Sequence, residues 1–108
     1  LMEILLADTH PDFVDLEPDL YWIAEAGIDP VEQLLEMHPR VRMIHAKDRA
    51  ADGAIANVGS GIFDWDAIIA ASKRVMATYL IVERDDPTDL MSDLSDSYRF
   101  LETKLASV

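Results

Sequence analysis

The sequence predicts an α/β fold in which parallel strands alternate with helices. Two observations support this prediction. Three apolar segments with strand character lie at residues 12–22, 41–47 and 78–83, and segments with helix-start signals lie between and around them. Because the order is helix, strand, helix, strand, helix, strand, helix, right-handed crossovers would place the three strands side by side and parallel.

The three predicted strands differ in pattern. DFVDLEPDLYW, residues 12–22, alternates apolar and polar residues over its middle, and the strand proper is expected near 13–19. VRMIHAK, residues 41–47, is compact and partly β-branched. TYLIVE, residues 78–83, is an almost continuous apolar run, which is typical of a strand buried on both faces.

The predicted helices are marked mainly by their N-terminal caps. Asp29 at the cap position and Pro30 directly after it are a strong start signal, and Asp64 is expected to cap a later helix. The last helix has a stripe of leucines at helical spacing. Four helices are predicted, at residues 2–8, 29–38, 64–76 and about 88–105.

The composition restricts the class of protein and its partners. A chain of 108 residues has about the commonest domain size, so we expect a single domain over residues 1–108. The formal net charge of -12 disfavours binding to nucleic acid or to an anionic membrane. The absence of cysteine excludes disulfides, thiolate nucleophiles and cysteine-type zinc sites. No apolar run has membrane-spanning length and no signal peptide opens the chain, so the expected location is cytoplasmic.

Polar side chains stand at the ends of all three predicted strands. Glu17 and Asp19 share a face of the first strand, His45 and Lys47 share a face of the second, and Glu83 ends the third. The C-terminal ends of parallel strands meet at one edge of the sheet, where α/β proteins collect their chemistry. Asp19, His45 and Glu83 would therefore lie at similar heights. Two carboxylates and an imidazole are suitable ligands for Mn²⁺, Mg²⁺, Zn²⁺ or Fe²⁺.

Each of these three residues also has a simpler interpretation. A strand-end aspartate such as Asp19 is commonly a cap or a turn former. His45 taken alone is more often a hydrogen-bonded core histidine than a ligand. Glu83 could pair with a neighbouring lysine or arginine. The combination on three successive strands is more specific than any one member, but spacing alone leaves both interpretations open.

Four segments, in this order and spacing, resemble a known protein family. They are LEPDLYWIAEAGIDPVEQL, VRMIHAKD, VGSGIFDWDAII and YLIVERDD. Together they contain D-x-x-W before an A-G-x-D-P turn, then H-x-K-D, then G-x-G-x-x-D-W, and finally V-E-x-D. The set resembles the C-terminal part of the sugar phosphate isomerase/epimerase family, in the xylose-isomerase-like TIM barrel superfamily, and it covers nearly the whole chain.

The resemblance implies a fold and a chemistry. The fold would be a partial TIM barrel made of the last three β/α units. The activity would be that of a metal-dependent sugar or sugar phosphate isomerase or epimerase that acts through an enediolate. Asp19, His45 and Glu83 match three of the family's metal ligands, and Glu83 would also move a proton. Trp22 matches a position that lines the sugar pocket, and Lys47 matches one that faces the pocket and could polarise a substrate oxygen.

The chain also departs from the family's pattern. The family's first metal ligand, a glutamate, and its first five strands have no counterpart, so the chain looks truncated and is expected to be inactive alone. The alternatives are a non-catalytic oligomerising half-barrel fragment and an inosose-dehydratase-like lyase. Open sheet edges predict a homo-oligomer, with domain swapping through the first strand and the N-terminal helix as one route. No role is assigned to Arg84, which stands where the family often has a neutral residue.

Overall fold

The computed structural model describes residues 1–107 and shows a mixed α/β structure with a short parallel sheet. Strands β1 and β4 pair in parallel, with Met43 opposite Tyr79, and β2 pairs antiparallel with β3 in a separate hairpin. The predicted α/β class with parallel strands is confirmed. In chain order the elements are α1 (Met2–Asp8), α2 (Leu20–Glu25), α3 (Pro30–Glu36), β1 (Met43–Ala46), β2 (Asp48–Arg49), β3 (Ile55–Ala56), α4 (Trp65–Arg74), β4 (Tyr79–Val82) and α5 (Leu90–Ala106).

The first predicted strand, expected near residues 13–19, does not form a regular strand. Two isolated parallel bridges, Leu16 with Val41 and Asp19 with His45, align this segment beside β1. Pro18 lies between the bridges and has no N–H to contribute to a continuous ladder. The segment therefore runs parallel to the sheet without joining it fully.

The strand-like segment predicted at residues 12–22 does not continue beyond Asp19, because a helix begins there. Oxygen Oδ1 of Asp19 accepts the backbone N–H groups of Tyr21 and Trp22, which is an N-cap arrangement, and α2 follows. Tyr21 therefore lies in the first turn of α2, and its hydroxyl donates a hydrogen bond to the carbonyl oxygen of Gly53 at 2.7 Å. Helix α2 was not predicted.

The other helices form where their capping residues indicate. Asp29, Asp64 and Asp89 each accept a backbone N–H from the turn that follows, and α3, α4 and α5 begin one residue later. Their ends at Glu36, Arg74 and Ala106 lie within two residues of the predicted ends. Within residues 1–107, no helix is both long enough and apolar enough to cross a membrane.

Strand β4 is less buried than its apolar sequence indicates. Tyr79 is exposed and the next three residues are only partly buried. The strand pairs with β1 along one edge, and its other edge has no strand beside it in the part of the chain that the structure describes. The prediction that residues 78–83 are buried on both faces is therefore wrong. An apolar run does not reveal whether neighbouring elements are present to cover it.

The apolar core lies between the parallel sheet and the helices. Ile44 of β1, Leu20 of α2, Leu34 of α3 and Ile68 of α4 are fully buried within it, and Leu101 of α5 joins them. Burial of one such side chain stabilises the folded state by about 1.5–3 kcal/mol. Packing of Ile44 fixes β1 and so the positions of the polar residues that flank it.

Arg40 attaches the N-terminal segment to this core. Its buried guanidinium donates hydrogen bonds to the carbonyl oxygens of Leu6, Thr9 and Val14 and to the hydroxyl of Thr9. Helix α1 has no fully buried residue of its own. The position of α1 therefore depends on these hydrogen bonds as well as on partial burial of Met2 and Leu6.

The carboxylate of Asp48 organises the connection between β1 and α4. It is fully buried, and it accepts five hydrogen bonds at 2.7–3.2 Å. Gly61 approaches it so closely that a Cβ there would clash with the carboxylate. The loop that contains the hairpin of β2 and β3 is thereby tied to α4. The donors are the backbone N–H groups of Arg49, Gly59, Gly61 and Phe63 and the indole Nε1–H of Trp65.

Candidate metal centre

Asp19, His45 and Glu83 converge at the C-terminal end of the parallel sheet. One ligand atom from each residue lies within 4.8 Å of the others. Nδ1 of His45 is 3.6 Å from Oδ2 of Asp19 and 3.2 Å from Oε2 of Glu83. The three residues that the sequence places at strand ends are therefore brought together in space.

The two carboxylate oxygens of Asp19 face different partners. Oδ1 caps α2, whereas Oδ2 faces His45 and the ammonium of Lys47. The parallel bridge between Asp19 and His45 sets the two residues at the same height. The simpler interpretation of Asp19 as a cap is thus correct, and it leaves the second oxygen available to the site.

A carboxylate that the sequence did not identify as a partner of His45 lies beside its ring. Oε1 of Glu17 lies 3.1 Å from Nε2 of His45, on the side of the ring opposite Nδ1. Nδ1, on the other side of the ring, faces Asp19 and Glu83. Such a carboxylate–histidine pair is the usual support for a metal-binding histidine. The sequence signal that could have identified Glu17 is its spacing of two residues from Asp19, which puts both side chains on one face.

Lys47 is buried beside these groups, with its side chain 1% exposed. Its Nζ lies 2.8 Å from Oδ2 of Asp19, 2.9 Å from Oε2 of Glu83 and 2.7 Å from Oδ2 of Asp85. An ammonium has three N–H donors, so every donor has a carboxylate oxygen within reach. Asp85 was not identified from the sequence.

The carboxylates keep Lys47 protonated. Burial by itself lowers the pKa of Lys47, but hydrogen bonds to Asp19, Asp85 and Glu83 outweigh burial and raise that pKa above its ordinary value. Lys47 is therefore an ammonium at neutral pH. A contact with a substrate oxygen would require it to release one of the three carboxylates, so its role towards a substrate stays a prediction.

The donor set and the charge fit a divalent cation. Three carboxylates, from Asp19, Glu83 and Asp85, contact the one ammonium, and the carboxylate of Glu17 lies beside His45, which leaves an excess of negative charge. Two carboxylate oxygens and an imidazole nitrogen suit Mn²⁺, Mg²⁺, Zn²⁺ or Fe²⁺. A carboxylate oxygen has more than one lone pair, so it can bind the ammonium and a cation together.

The site is open on one side. The exposed fraction of the side chain is 42% for Glu83, 28% for His45 and 15% for Asp19. An apolar groove of about 1150 Å³ lies beside the site, between α1 and helices α2 and α3. Glu17, Asp19 and the exposed Trp22 form part of its wall. Trp22 is thus at the edge of the candidate site, and its role in lining a sugar pocket stays a prediction.

Arg84, to which the sequence assigned no role, lies outside this group. Its Nε is 3.6 Å from Oδ1 of Asp86 and 3.9 Å from Oδ2 of Asp93, and these distances are too long for hydrogen bonds. Nε and Nη1 are buried without a hydrogen-bond partner among the described residues. The structure gives no account of this arrangement.

Profiles of known protein families give no match to the chain, and curated proteins give none either. Among solved structures, the chain is similar to two crystal structures of sugar phosphate isomerase/epimerases from Parabacteroides distasonis ATCC 8503. The TM-scores are 0.78 and 0.71, and the sequence identity is 28% in both. Each similarity covers 93% of this chain but only 34% or 35% of the other chain, so this chain spans about one third of their length. The resemblance to sugar phosphate isomerase/epimerases, predicted from four sequence segments, is confirmed over nearly the whole chain.

Proposed function

We propose that the chain holds part of the metal centre of a sugar or sugar phosphate isomerase or epimerase. The observation that supports this most is the convergence of Asp19, His45 and Glu83 in a fold similar to that of sugar phosphate isomerase/epimerases. In this proposal the chain is a partial TIM barrel of three β/α units. The segment ending at Asp19, strand β1 and strand β4 are its three adjacent strands.

The proposed chemistry is proton transfer between neighbouring carbons of a sugar through an enediolate. A bound Mn²⁺, Mg²⁺, Zn²⁺ or Fe²⁺ would supply the positive charge that offsets developing charge on sugar oxygens. Glu83 is the most exposed of the three candidate ligands and is the carboxylate best placed to take or return a proton. Asp19 and His45 orient the centre, and the exposed indole of Trp22 offers an apolar surface for one face of the sugar.

A calorimetric titration with Mn²⁺ at neutral pH tests the metal centre. We expect one-to-one binding in the micromolar range that is lost in Asp19→Asn. Asp29→Asn is the matched control, because Asp29 caps α3 as Asp19 caps α2 but contributes no oxygen to the site. Asparagine is also a good N-cap, so both variants should keep their helices. Absence of binding to the unmodified chain would contradict the proposal.

A second candidate function follows from the coverage of one third of the similar structures. The chain would then be a non-catalytic metal-binding segment, whose turnover requires further β/α units. Assays of sugar isomerisation and of inosose dehydration with added Mn²⁺ separate the candidates. Metal binding without turnover favours the non-catalytic segment, and product formation by the isolated chain excludes it.

Self-association remains a separate prediction. The outer edge of β4 has no neighbouring strand within residues 1–107, and apolar side chains of α1 such as Leu1 and Ile4 are exposed. Such edges and apolar surfaces favour pairing with a second chain. Light scattering on the purified chain should show a dimer or a larger homo-oligomer. A monomer at every accessible concentration would show this prediction to be wrong.

A further inference from the structure

Lys47 does more than neutralise buried charge, because it bonds to the atoms that would bind a cation. Oδ2 of Asp19 and Oε2 of Glu83 lie 2.8 and 2.9 Å from its Nζ. The same two oxygens are the ones that face Nδ1 of His45. The ammonium and the imidazole therefore contact one pair of oxygens from two sides.

This pair of oxygens requires a positive partner. Both belong to carboxylates and both lie within 3 Å of the same nitrogen, so they are close together and their charges repel. The ammonium of Lys47, at less than 3 Å from both oxygens, offsets that repulsion.

Asp85 holds Lys47 in this position. It lies in the connection between β4 and α5, and its Oδ2 accepts a hydrogen bond from Nζ of Lys47 at 2.7 Å, which is shorter than the ion-pair distances to Asp19 and Glu83. Asp85 does not belong to the ligand group formed by Asp19, His45 and Glu83. Its contact with the site is made through Lys47.

We propose that Lys47, anchored by Asp85, is a positioning residue that sets Asp19 and Glu83 at the geometry needed to bind a divalent cation. The inference rests on the proposed metal-binding function. It gives Asp85 a role and explains why a buried lysine in contact with three carboxylates lies at the site. Positioning of this kind strengthens cation binding because the ligands are arranged before the cation arrives.

A purely electrostatic role of Lys47 predicts the opposite change in Mn²⁺ affinity for Lys47→Met. If Lys47 only contributed positive charge, Lys47→Met would bind Mn²⁺ more tightly than the unmodified chain. If Lys47 positions the ligands, Lys47→Met binds more weakly. The sign of the change therefore decides between the two.

The test is calorimetric titration with Mn²⁺ on the full chain and three variants. We expect Lys47→Met and Asp85→Asn each to weaken binding by about ten-fold or more. Asp86→Asn is the matched control, since it removes the same charge one residue further along from an exposed side chain that contacts Arg84. It should change the affinity by roughly two-fold or less, because exposed charges are screened. Circular dichroism checks folding, and Asp85→Asn serves if Lys47→Met fails to fold.

A second measurement needs no metal. In the ¹⁵N-labelled chain, a buried and fully bonded Lys47 ammonium should give a separate, slowly exchanging ¹⁵N–¹H signal at neutral pH. The signal should be absent in Lys47→Met and should exchange faster with water in Asp85→Asn. A Lys47 signal that exchanges like those of surface lysines would overturn the inference.

The two proposals fail in different ways. No Mn²⁺ binding to the unmodified chain would overturn the metal centre itself. Mn²⁺ binding that is unchanged or tighter in Lys47→Met would leave the metal centre intact and overturn the positioning role. An equal loss of affinity in Asp85→Asn and Asp86→Asn would overturn the anchoring role of Asp85.

Discussion

Lys47 and Asp48 are adjacent in the chain and place opposite charges in two different buried environments. The ammonium of Lys47 is bonded to three carboxylates, and the side chains of Glu83 and Asp85 among them are 42% and 41% exposed. The carboxylate of Asp48 is fully buried, and all five of its donors are uncharged. Both charges are fully partnered, but by different kinds of group.

The difference separates a candidate site from the scaffold that supports it. Backbone N–H groups have fixed positions and a single charge state, so those around Asp48 hold one arrangement of the loop before α4. The partners of Lys47 are ionisable and partly open to solvent. Ionisable groups that solvent can reach are the kind that the proposed metal centre requires.

The largest effect on stability is expected from Asp48→Asn. The substitution replaces an acceptor oxygen with an amide that points its own N–H groups at buried donors. We expect the free energy of unfolding in urea to fall by about 3 kcal/mol or more. Asp52→Asn, on an exposed residue of the same hairpin, should stay within about 1 kcal/mol. An equal loss of unfolding free energy in Asp48→Asn and Asp52→Asn would show that the buried hydrogen bonds of Asp48 are not what stabilises this loop.

Gly61→Ala tests the same loop at one of the residues whose backbone N–H donates to Asp48. A Cβ at Gly61 would collide with the carboxylate of Asp48 and the carbonyl oxygen of Arg49. Urea unfolding should show a loss of about 1–3 kcal/mol from this overpacking. Gly27→Ala is the control, because a Cβ at Gly27 meets open space and only its positive φ of 77° is strained, at about 1 kcal/mol. If Gly61→Ala were as stable as the unmodified chain, the loop would have to shift to make room for the added Cβ, and the predicted clash would be contradicted.

The Lys47 cluster should tolerate the loss of one partner better than the Asp48 cluster does. In Asp85→Asn, Lys47 keeps Asp19 and Glu83, and water can reach the exposed position of Asp85. Urea unfolding should show a loss of about 1 kcal/mol or less. A loss as large as that of Asp48→Asn would mean that the Lys47 cluster is scaffold as well.

Asp93, at the start of α5, is expected to give the smallest effect on stability, and this effect should depend on pH. A hydrogen bond from Asn57 lowers the pKa of Asp93, and the backbone N–H of Thr88 acts in the same direction. A carboxyl whose pKa is lower in the folded state stabilises the fold above its ordinary pKa, and this stabilisation is lost as the pH falls through the folded value. The difference in Tm between the unmodified chain and Asp93→Asn should therefore be full at neutral pH and shrink below about pH 4.

Asp96→Asn is the comparison for that experiment, because it removes the same charge from an exposed position of α5. It corrects for the general effect of a less acidic chain on Tm. A difference between the unmodified chain and Asp93→Asn that persisted unchanged at low pH would contradict the assignment.

The sequence predicted the elements whose signals are local. Asp29, Asp64 and Asp89 cap helices that begin within one or two residues of the expected positions, and strand ends placed Asp19, His45 and Glu83 on one edge. The hairpin of β2 and β3 was missed because strands of two residues have no period to detect.

The partners of the two buried charges were beyond the reach of local patterns. Lys47 and Asp85 are 38 residues apart, and Asp48 and Gly61 are 13 apart. Only the folded chain brings them together. Helix α2 is a different case, since Asp19 is a good N-cap residue. The alternation of residues 12–19 was extended past it and concealed the start of the helix.

Asp19 connects a short helix to the chemistry of the sheet edge. One of its oxygens caps α2 and the other faces His45 and Lys47, and the two oxygens belong to one rigid, planar group. In the proposed metal centre, a cation bound to Oδ2 would also hold Oδ1 against the first turn of α2, and by reciprocity a firmer first turn would favour the cation. The amide protons of Tyr21 and Trp22 are therefore reporters of occupancy. Their exchange with deuterium should slow when the site is filled, although they lie two and three residues along the chain from Asp19.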